Sequence, residues 1–175
     1  MRYLKYFMLL AALLVGAITT NAATPSRECY SLNGDWRFFF ADEPDAADAD
    51  YVTLPHTWNI GAEEGGYLRT TANYMRDIHI PAEWQGKRLF MRFGGAQSVA
   101  ELFVNGKYVG EHRGGFTAFT FEITDFVRYG AENHLRVIVS NNQRNDVLPL
   151  SSDVDLAGGI YRDVELMVTP ENIIS

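Results

Sequence analysis

Pairs of carboxylates are the side chains of this 175-residue chain that come nearest to a catalytic arrangement. Two acidic groups held close together can act as a general acid and a general base, or can hold a cation. Glu63 and Glu64 are adjacent in a glycine-rich segment, so their side chains diverge and we expect two solvated charges. Asp153 and Asp155 stand two residues apart, which puts both on the same side of an extended segment. That spacing predicts a polar or cation-binding face, and it does not by itself make an acid/base couple.

Other motifs for catalysis or metal binding are missing from the sequence. The histidines have no paired ligand spacing and no cysteine partner, and we expect surface or turn positions for His56, His79, His112 and His134. The glycine pairs lack the strand-to-helix context of a phosphate loop, and there is no serine elbow. Cys29 is the single cysteine, and we expect it to act as a small residue near the start of the fold and not as a reactive thiol. We therefore predict no catalytic residue, metal or cofactor.

The elements that must position any site are short strands, because apolar residues alternate with period two between turn signals. We expect strands over residues 36–40, 51–54, 74–80 and 119–123. Three further strands each place a triplet of apolar residues on one face: Leu89, Met91 and Phe93; Leu135, Val137 and Val139; and Val164, Leu166 and Val168. Long helical periods are absent, so the pattern predicts an all-β, antiparallel two-sheet sandwich of the jelly-roll kind.

Two turns give sharper local predictions. Asn105-Gly106 lies between two apolar runs and accepts the positive φ angles of a tight hairpin, so we expect a hairpin over residues 99–109. Asp125 predicts the cap of one helical turn that runs through Tyr129 and stops before Gly130. The acidic link over residues 42–50 predicts a solvated segment that can form a brief helical turn.

Residues 1–22 have the pattern of a secretory signal peptide. Arg2 and Lys5 precede an apolar run over residues 6–18, and Thr20-Asn21-Ala22 supplies small residues for cleavage. The alternative is a membrane anchor, but the run is shorter than the ~20 residues that a spanning helix needs. We expect export to the periplasm or the extracellular space. Without this segment the chain keeps 13 basic and 22 acidic residues, a net charge of −9, which disfavours nucleic acid and anionic membrane surfaces.

Four phrases occur in order along the rest of the chain: Leu32-Asn33-Gly34-Asp35-Trp36, Leu54-Pro55-His56-Thr57-Trp58-Asn59, Leu102-Phe103-Val104-Asn105-Gly106-Lys107 and Gly158-Gly159-Ile160-Tyr161-Arg162-Asp163-Val164. Together they make the chain similar to the N-terminal sugar-binding domain of family 2 glycoside hydrolases, most of all to the β-galactosidase branch. The resemblance implies a galactose-binding-domain-like jelly roll over residues 23–169. It also implies that residues 170–175 begin a linker to an immunoglobulin-like domain and a catalytic barrel.

The resemblance further implies which residues touch sugar. Many relatives have an aspartate six residues before the second glycine of the Gly-Gly-Ile turn, and Asp153 stands there, so it would accept hydrogen bonds from sugar hydroxyls. Leu156 replaces an asparagine that many relatives carry. Tyr67 and Arg69 lie in another region that approaches the substrate in relatives, with strand-edge packing and a surface salt bridge as the competing interpretations. The catalytic glutamate motifs of the family are absent.

Two interpretations remain open for the aromatic and charged residues of these phrases. Trp36, Trp58 and Trp84 could stack on sugar rings, although packing in the core or against another domain is the stronger expectation. Arg162 and Asp163 favour an inter-strand ion pair.

The leading hypothesis is a non-catalytic domain of an exported glycosidase that contacts a β-linked glycoside and is inactive by itself. The alternatives are a stand-alone carbohydrate-binding module and a structural interaction domain.

Overall fold

The computed structural model describes residues 27–42, 49–59, 68–148 and 157–171. Within these ranges there is no α-helix, only one 3₁₀ helix at Ala82–Trp84. None of the helical structure described is long and apolar enough to cross a bilayer. The described strands are β1 (Glu28–Ser31), β2 (Trp36–Phe40), β3 (Asp50–Val52), β4 (Thr71–Ile80), β5 (Lys87–Phe93), β6 (Val99–Val104), β7 (Lys107–Arg113), β8 (Phe119–Glu122), β9 (Ala131–Ser140) and β10 (Val164–Pro170).

These strands form two antiparallel sheets that face each other across one core. The smaller sheet has the order β1-β10-β5-β8 and the larger has the order β3-β2-β4-β9-β6-β7. Strands that pair within a sheet are therefore mostly distant in sequence, as in a jelly roll. The hairpin β6-β7 is an exception. The predicted all-β sandwich is confirmed.

The core is built from the residues that alternate inward along each strand. Leu89, Met91 and Phe93 of β5 are completely buried, as the period-two pattern predicted. The same pattern is confirmed in β9 and β10, where each predicted triplet is buried. Trp36 and Tyr74 are the largest side chains with no exposed surface. A contiguous apolar interior of this kind is the main stabilising term in a domain without disulfides.

The Asn105-Gly106 hairpin is confirmed, and it shows why this pair of residues is needed. Asn105 and Gly106 have φ angles of 52° and 78°, the left-handed region that asparagine and glycine tolerate. Asn105 adds a second contribution, since its Nδ2 donates to the Phe126 carbonyl at 2.9 Å. The hairpin turn is thereby joined to the segment that follows β8.

The helical turn predicted from Asp125 to Tyr129 is wrong, because the side chain of the buried Asn133 bonds to backbone groups that a helical turn would use. Asn133 Oδ1 accepts the Arg128 backbone N–H at 2.7 Å, and Asn133 Nδ2 donates to the carbonyls of Arg128 and Ala131 at 2.8 and 3.0 Å. Only a single turn forms before this point, in which Phe126 N–H donates to Ile123 O at 3.0 Å. Side-chain hydrogen bonds from the next strand therefore override the local capping preference.

Two other details differ from the expectation. β1 was not predicted, because its side chains are mostly exposed and it joins the smaller sheet only by pairing with β10. The ion pair expected of Arg162 and Asp163 is replaced by other hydrogen bonds. Asn33 Nδ2 donates to Asp163 Oδ1 at 2.9 Å, and Arg162 Nη1 donates to the Gly94 carbonyl at 3.4 Å.

A histidine–tyrosine pair connects the segment after β3 to the centre of the larger sheet. His56 Nδ1 lies 2.9 Å from the hydroxyl of the buried Tyr74, and that hydroxyl also accepts the Ile160 backbone N–H. In the tautomer in which Nδ1 accepts from this hydroxyl, the neutral imidazole carries its own proton on Nε2. Burial lowers the pKa of His56 from its usual value of 6.5 and raises that of the Tyr74 phenol.

Removing the Asn133 amide should destabilise the domain, because Asn133 is fully buried and satisfies three backbone groups. We expect Asn133→Ala to lower the free energy of unfolding by about 2–4 kcal/mol, measured by urea denaturation. Asn142→Ala is the matched control, since Asn142 is exposed and its amide bonds only to side-chain hydroxyls. Equal losses in the two variants would contradict the role assigned to Asn133.

The His56–Tyr74 pair should make stability depend on pH. Because the folded-state pKa of His56 is below the unfolded value, its stabilising contribution is complete above about pH 6.5 and is lost as the pH falls through the folded-state pKa. We expect His56→Gln to flatten the dependence of the unfolding free energy on pH in this window. A pH dependence in His56→Gln as steep as that of the parent would contradict the role assigned to this histidine.

Candidate functional site

At one end of the sandwich, residues 54–59 lie next to residues 158–164, the second and fourth of the four phrases quoted above. We call this end the loop end. His56 N–H donates to Ile160 O at 2.8 Å, and Trp58 N–H donates to Gly158 O at 3.2 Å. On the other side of the same segment, Gln97 N–H donates to Gly159 O at 3.0 Å. Residues 158–160 are thus held between two other segments by backbone hydrogen bonds.

Two adjacent glycines allow this close approach. A Cβ on Gly158 would lie 2.1 Å from Cζ2 of Trp58, and a Cβ on Gly159 would lie 2.5 Å from the His56 carbonyl oxygen. Gly159 also has a φ of +128°, which L side chains rarely adopt. The Gly-Gly pair is therefore required by backbone packing at this end, and the same packing places the indole of Trp58 directly over the chain.

Asn141 and Trp58 together hold the residues that enter β4. Asn141 Nδ2 donates to Leu68 O at 2.9 Å, and Asn141 Oδ1 accepts the Thr70 N–H at 2.8 Å. Trp58 Nε1 donates to the same Leu68 carbonyl at 3.2 Å. Arg69 lies between these anchored residues, and its Nη1 contacts Gln143 Oε1 at 3.3 Å. Its guanidinium is thereby positioned at the loop end without a carboxylate partner among the described residues.

Of the three residues predicted to bind substrate, the structure describes one. Arg69 is half-buried at the loop end, where its hydrogen-bond partner among the described residues is the Gln143 amide. Asp153 and Tyr67 lie outside the described residues, as do Glu63, Glu64 and Asp155. The described residues that flank these two segments, Trp58, Leu68 and Gly158, contact one another directly.

The tryptophans behave as packing residues. Trp36 has no exposed surface, and Trp58 lies partly buried with its ring 6.1 Å from that of Phe38. Trp84 is partly buried and its ring is 5.0 Å from that of Tyr30, at the end of the sandwich where β5 begins. The expectation of packing is confirmed for Trp36 and Trp58.

Sequence reasoning missed three polar residues of the loop end. His56 was expected at the surface but is half-buried against Tyr74. Gln97 and Asn141 were not singled out, and their exposed fractions are 2% and 0%. Of these three residues, the sequence pointed only to His56, because it lies inside one of the four phrases that carry the family resemblance. A buried glutamine or asparagine cannot be distinguished from a surface one without knowing which strands surround it.

The chemistry of the described loop end is that of recognition. Its side chains are a guanidinium, an imidazole, an indole and several carboxamides, from Arg69, His56, Trp58, Gln97 and Asn141. Hydrolysis of a glycoside with retention requires two carboxyl groups about 5–5.5 Å apart, and no aspartate or glutamate is among these residues. Within the described ranges no three metal-ligating side chains cluster. The half-buried Arg69 guanidinium can donate hydrogen bonds to a polar neutral or anionic ligand, whereas Gln97 and Asn141 are buried and Asn141 supports the segment that carries Arg69.

A second concavity does not make a comparable site. It is a groove of about 310 Å³ next to β5 and β10, lined by Pro55, Arg92, Gly94, Ala118, Tyr161, Arg162, Asp163 and Glu165. Its charges already have partners, since Arg92 Nη1 lies 3.1 Å from Glu165 Oε2 and Asp163 accepts from Asn33. A ligand here would have to compete with bonds that the folded chain makes for itself.

Solved structures with the same fold are large glycosidases. Bacteroides uniformis β-glucuronidase 2, in a structure with cyclophellitol-6-carboxylate aziridine bound covalently, matches with a TM-score of 0.73 and 37% identity. The match covers 83% of this chain and 18% of that one. A putative β-galactosidase from Bacteroides fragilis matches with a TM-score of 0.76 and 36% identity, covering 83% of this chain and 24% of the other.

Sequence comparison agrees with the fold. A β-glucuronidase of Bacteroides fragilis is 45% identical over 166 residues, which is 93% of this chain and 23% of that protein. A β-galactosidase of Thermoanaerobacter pseudethanolicus is 35% identical over 81% of this chain and 21% of its own length. The chain thus spans less than a quarter of either relative. The model of the sugar-binding domain of glycosyl hydrolases family 2 matches residues 51–170, and the chain therefore belongs to that family as its sugar-binding domain.

Proposed function

We propose that this domain holds the terminal sugar of a β-linked glycoside for hydrolysis by another part of the same protein. The observation that carries the proposal is the family match over residues 51–170 in a chain that spans less than a quarter of its relatives. The residues gathered at the described loop end suit binding, and they lack the carboxylate pair that hydrolysis needs. In this proposal an immunoglobulin-like domain and a barrel of the same protein follow this domain, and the barrel supplies the catalytic glutamates.

Asp153, Tyr67 and Arg69 are the proposed substrate contacts. Asp153 would accept hydrogen bonds from sugar hydroxyls, and the ring of Tyr67 would contact the sugar face. Arg69 supports this assignment from the structure, because its side chain lies at the loop end beside the residues that precede the Asp153 segment. Gln143 holds the guanidinium through one amide oxygen, and the other N–H groups of Arg69 make no hydrogen bond to a residue in the described ranges.

A β-glucuronide is the proposed substrate class, and a β-galactoside is the alternative. The relative at 45% identity is named a β-glucuronidase, whereas the β-galactosidase compared above is 35% identical. The Arg69 guanidinium at the loop end also suits a sugar that carries a carboxylate, because arginine binds carboxylates through paired hydrogen bonds. The same reasoning predicts weaker selection for a neutral galactoside.

Export is part of the proposal. Residues 1–22 combine a basic start, an apolar run and small residues at the cleavage position, which is the pattern of a signal peptide. The mature domain would then act in the periplasm or outside the cell, and would be free of the membrane. A protein with one cysteine needs no disulfide for this environment, because its apolar core is contiguous.

The proposal can be tested with a chimera in which this chain replaces the matching part of the Bacteroides fragilis β-glucuronidase. We expect the isolated chain to leave p-nitrophenyl β-glucuronide intact and the chimera to hydrolyse it, measured by release of p-nitrophenol. Hydrolysis by the isolated chain, or a folded chimera without activity, would contradict the proposal.

Within that chimera, Asp153→Asn should lower kcat/KM for the glucuronide by about 10- to 100-fold, because it removes charge-assisted hydrogen bonds to the sugar. Asp155→Asn is the matched control, since it changes a carboxylate two residues away in the same segment and should leave kcat/KM unchanged. The circular dichroism of both variants should match that of the parent. Equal kinetics in the two variants would remove Asp153 from the site.

A further inference from the structure

The outward face of the larger sheet carries one row of side chains that crosses all six strands. The register pairs Tyr51 with Arg37, Arg37 with Met75, Met75 with Arg136, Arg136 with Phe103 and Phe103 with Tyr108. Residues paired in this way share one face of a sheet. The row is therefore Tyr51, Arg37, Met75, Arg136, Phe103 and Tyr108, and we call it the cross-sheet row.

Several side chains of the row contact one another or are held in place by a neighbouring residue. The rings of Phe103 and Tyr108 are 5.4 Å apart in an edge-to-face arrangement, and the Arg136 guanidinium lies 6.0 Å from the centre of the Phe103 ring. Arg136 is oriented by Asn73, whose Oδ1 accepts from its Nε and Nη2 at 3.0 and 2.8 Å. These bonds leave Nη1 of Arg136 without a hydrogen bond to any described residue.

The ends of the row are open to solvent. Tyr51 is 75% exposed and Tyr108 is 53% exposed, an unusual position for two large aromatic side chains. Arg37 makes no hydrogen bond or ion pair with another residue in the described ranges. With strands spaced ~4.8 Å apart, the six positions extend over about 24 Å, several times the width of one sugar ring.

The charge of this row is opposite to that of the chain. The row has two arginines and no carboxylate, whereas the whole sequence has a formal charge of −7. The next row has no arginine, because the same register places Phe39, Asn73, Ile138, Glu101 and Glu111 there. Asp77, which flanks the row on the other side, is hydrogen-bonded to His134. Positive charge is thus concentrated along one line with aromatic rings at its ends.

We propose that the cross-sheet row is a second carbohydrate-binding surface that accepts a β-linked glycan chain bearing uronate carboxylates. Aromatic rings present flat apolar faces to the C–H groups of sugars, and arginines bind carboxylates. A protein partner would be expected to bury a continuous apolar patch, whereas here Arg37 and Arg136 divide the row into Tyr51, Met75 and the Phe103–Tyr108 pair.

This surface is separate from the loop end. The loop end borders Thr71, where β4 begins, and the row crosses β4 at Met75, four residues further along the strand. Four residues of a strand measure about 13 Å. The proposal is also independent of the role assigned to Asp153, and the row would hold a polymer near the protein without taking part in cleavage.

The test is isothermal titration of the chain with a hyaluronan octasaccharide, in which every second sugar is a β-linked glucuronate. We expect binding that is lost when the carboxyl groups of the octasaccharide are reduced to alcohols. Tyr51→Ala and Tyr108→Ala should each raise the Kd by about three- to tenfold, and Arg37→Gln by about tenfold or more. None of these side chains is in the buried core, so the variants should unfold at the same temperature as the parent.

Three control variants test whether the octasaccharide binds at the cross-sheet row and nowhere else. Tyr30→Ala removes an exposed aromatic ring from the smaller sheet and Arg128→Gln removes an exposed arginine outside the row, and both should keep the parent Kd. The third variant is Asp153→Asn: if it lost binding while the row variants kept the parent Kd, the octasaccharide would lie at the loop end and the proposal would be overturned. Absence of binding, equal binding of the reduced octasaccharide, or a row variant that only changes the oligomeric state in sedimentation would overturn it as well.

Discussion

The close contact between Gly158 and the Trp58 indole is the constraint on which the loop end depends. No side chain fits at position 158, because its Cβ would lie 2.1 Å from the indole ring. With glycine there, residues 158–160 can bond to His56 and Trp58 on one side and to Gln97 on the other. The chain between β9 and β10 is consequently fixed at one point next to the residues that lead into β4. A larger residue would separate these segments and disperse the groups proposed to meet a sugar.

Buried polar side chains form hydrogen bonds with backbone groups in the irregular segments of the sandwich, where the strands provide no backbone partner. Asn133 at one end and Asn141 at the other each hold an irregular segment against β9 or β4. His56 and Tyr74 perform a similar function in the interior, where the imidazole and the phenol hydroxyl are hydrogen-bonded to each other. Each of these groups is costly if left unpaired, so together they select one arrangement of the connecting segments. The apolar core stabilises the sandwich, and these few hydrogen bonds determine how its ends are shaped.

The two proposed sugar-binding surfaces divide the work of recognition. The loop end would hold one terminal sugar with a small number of directional groups, Arg69 and Asp153 among them. The cross-sheet row would contact several sugars of a chain through rings and guanidinium groups that are already in place. Binding at the row would raise the local concentration of polymer ends near the catalytic domain, which is an effect of linkage and requires no conformational change. Under these proposals both surfaces would select for carboxylate.

Most of the sandwich could be predicted from local pattern, because alternation with period two needs only neighbouring residues. The buried triplets of β5, β9 and β10, the hairpin at Asn105-Gly106 and the packing of Trp36 and Trp58 were predictable in this way. The resemblance of four phrases also identified the family. The helical turn at Asp125 failed because Asn133, a buried residue of β9 that carries no local capping signal, took the Arg128 backbone groups.

The sequence by itself therefore determined most of the strands, their inward faces, the hairpin at Asn105-Gly106 and the family. The tertiary structure decided which strands became neighbours, and with that the burial of Gln97 and Asn141, the position of Arg69 and the alignment of six residues across the larger sheet. The reason is physical: a strand's inward face follows from its own alternation, whereas its register against a partner depends on packing between segments far apart in the chain.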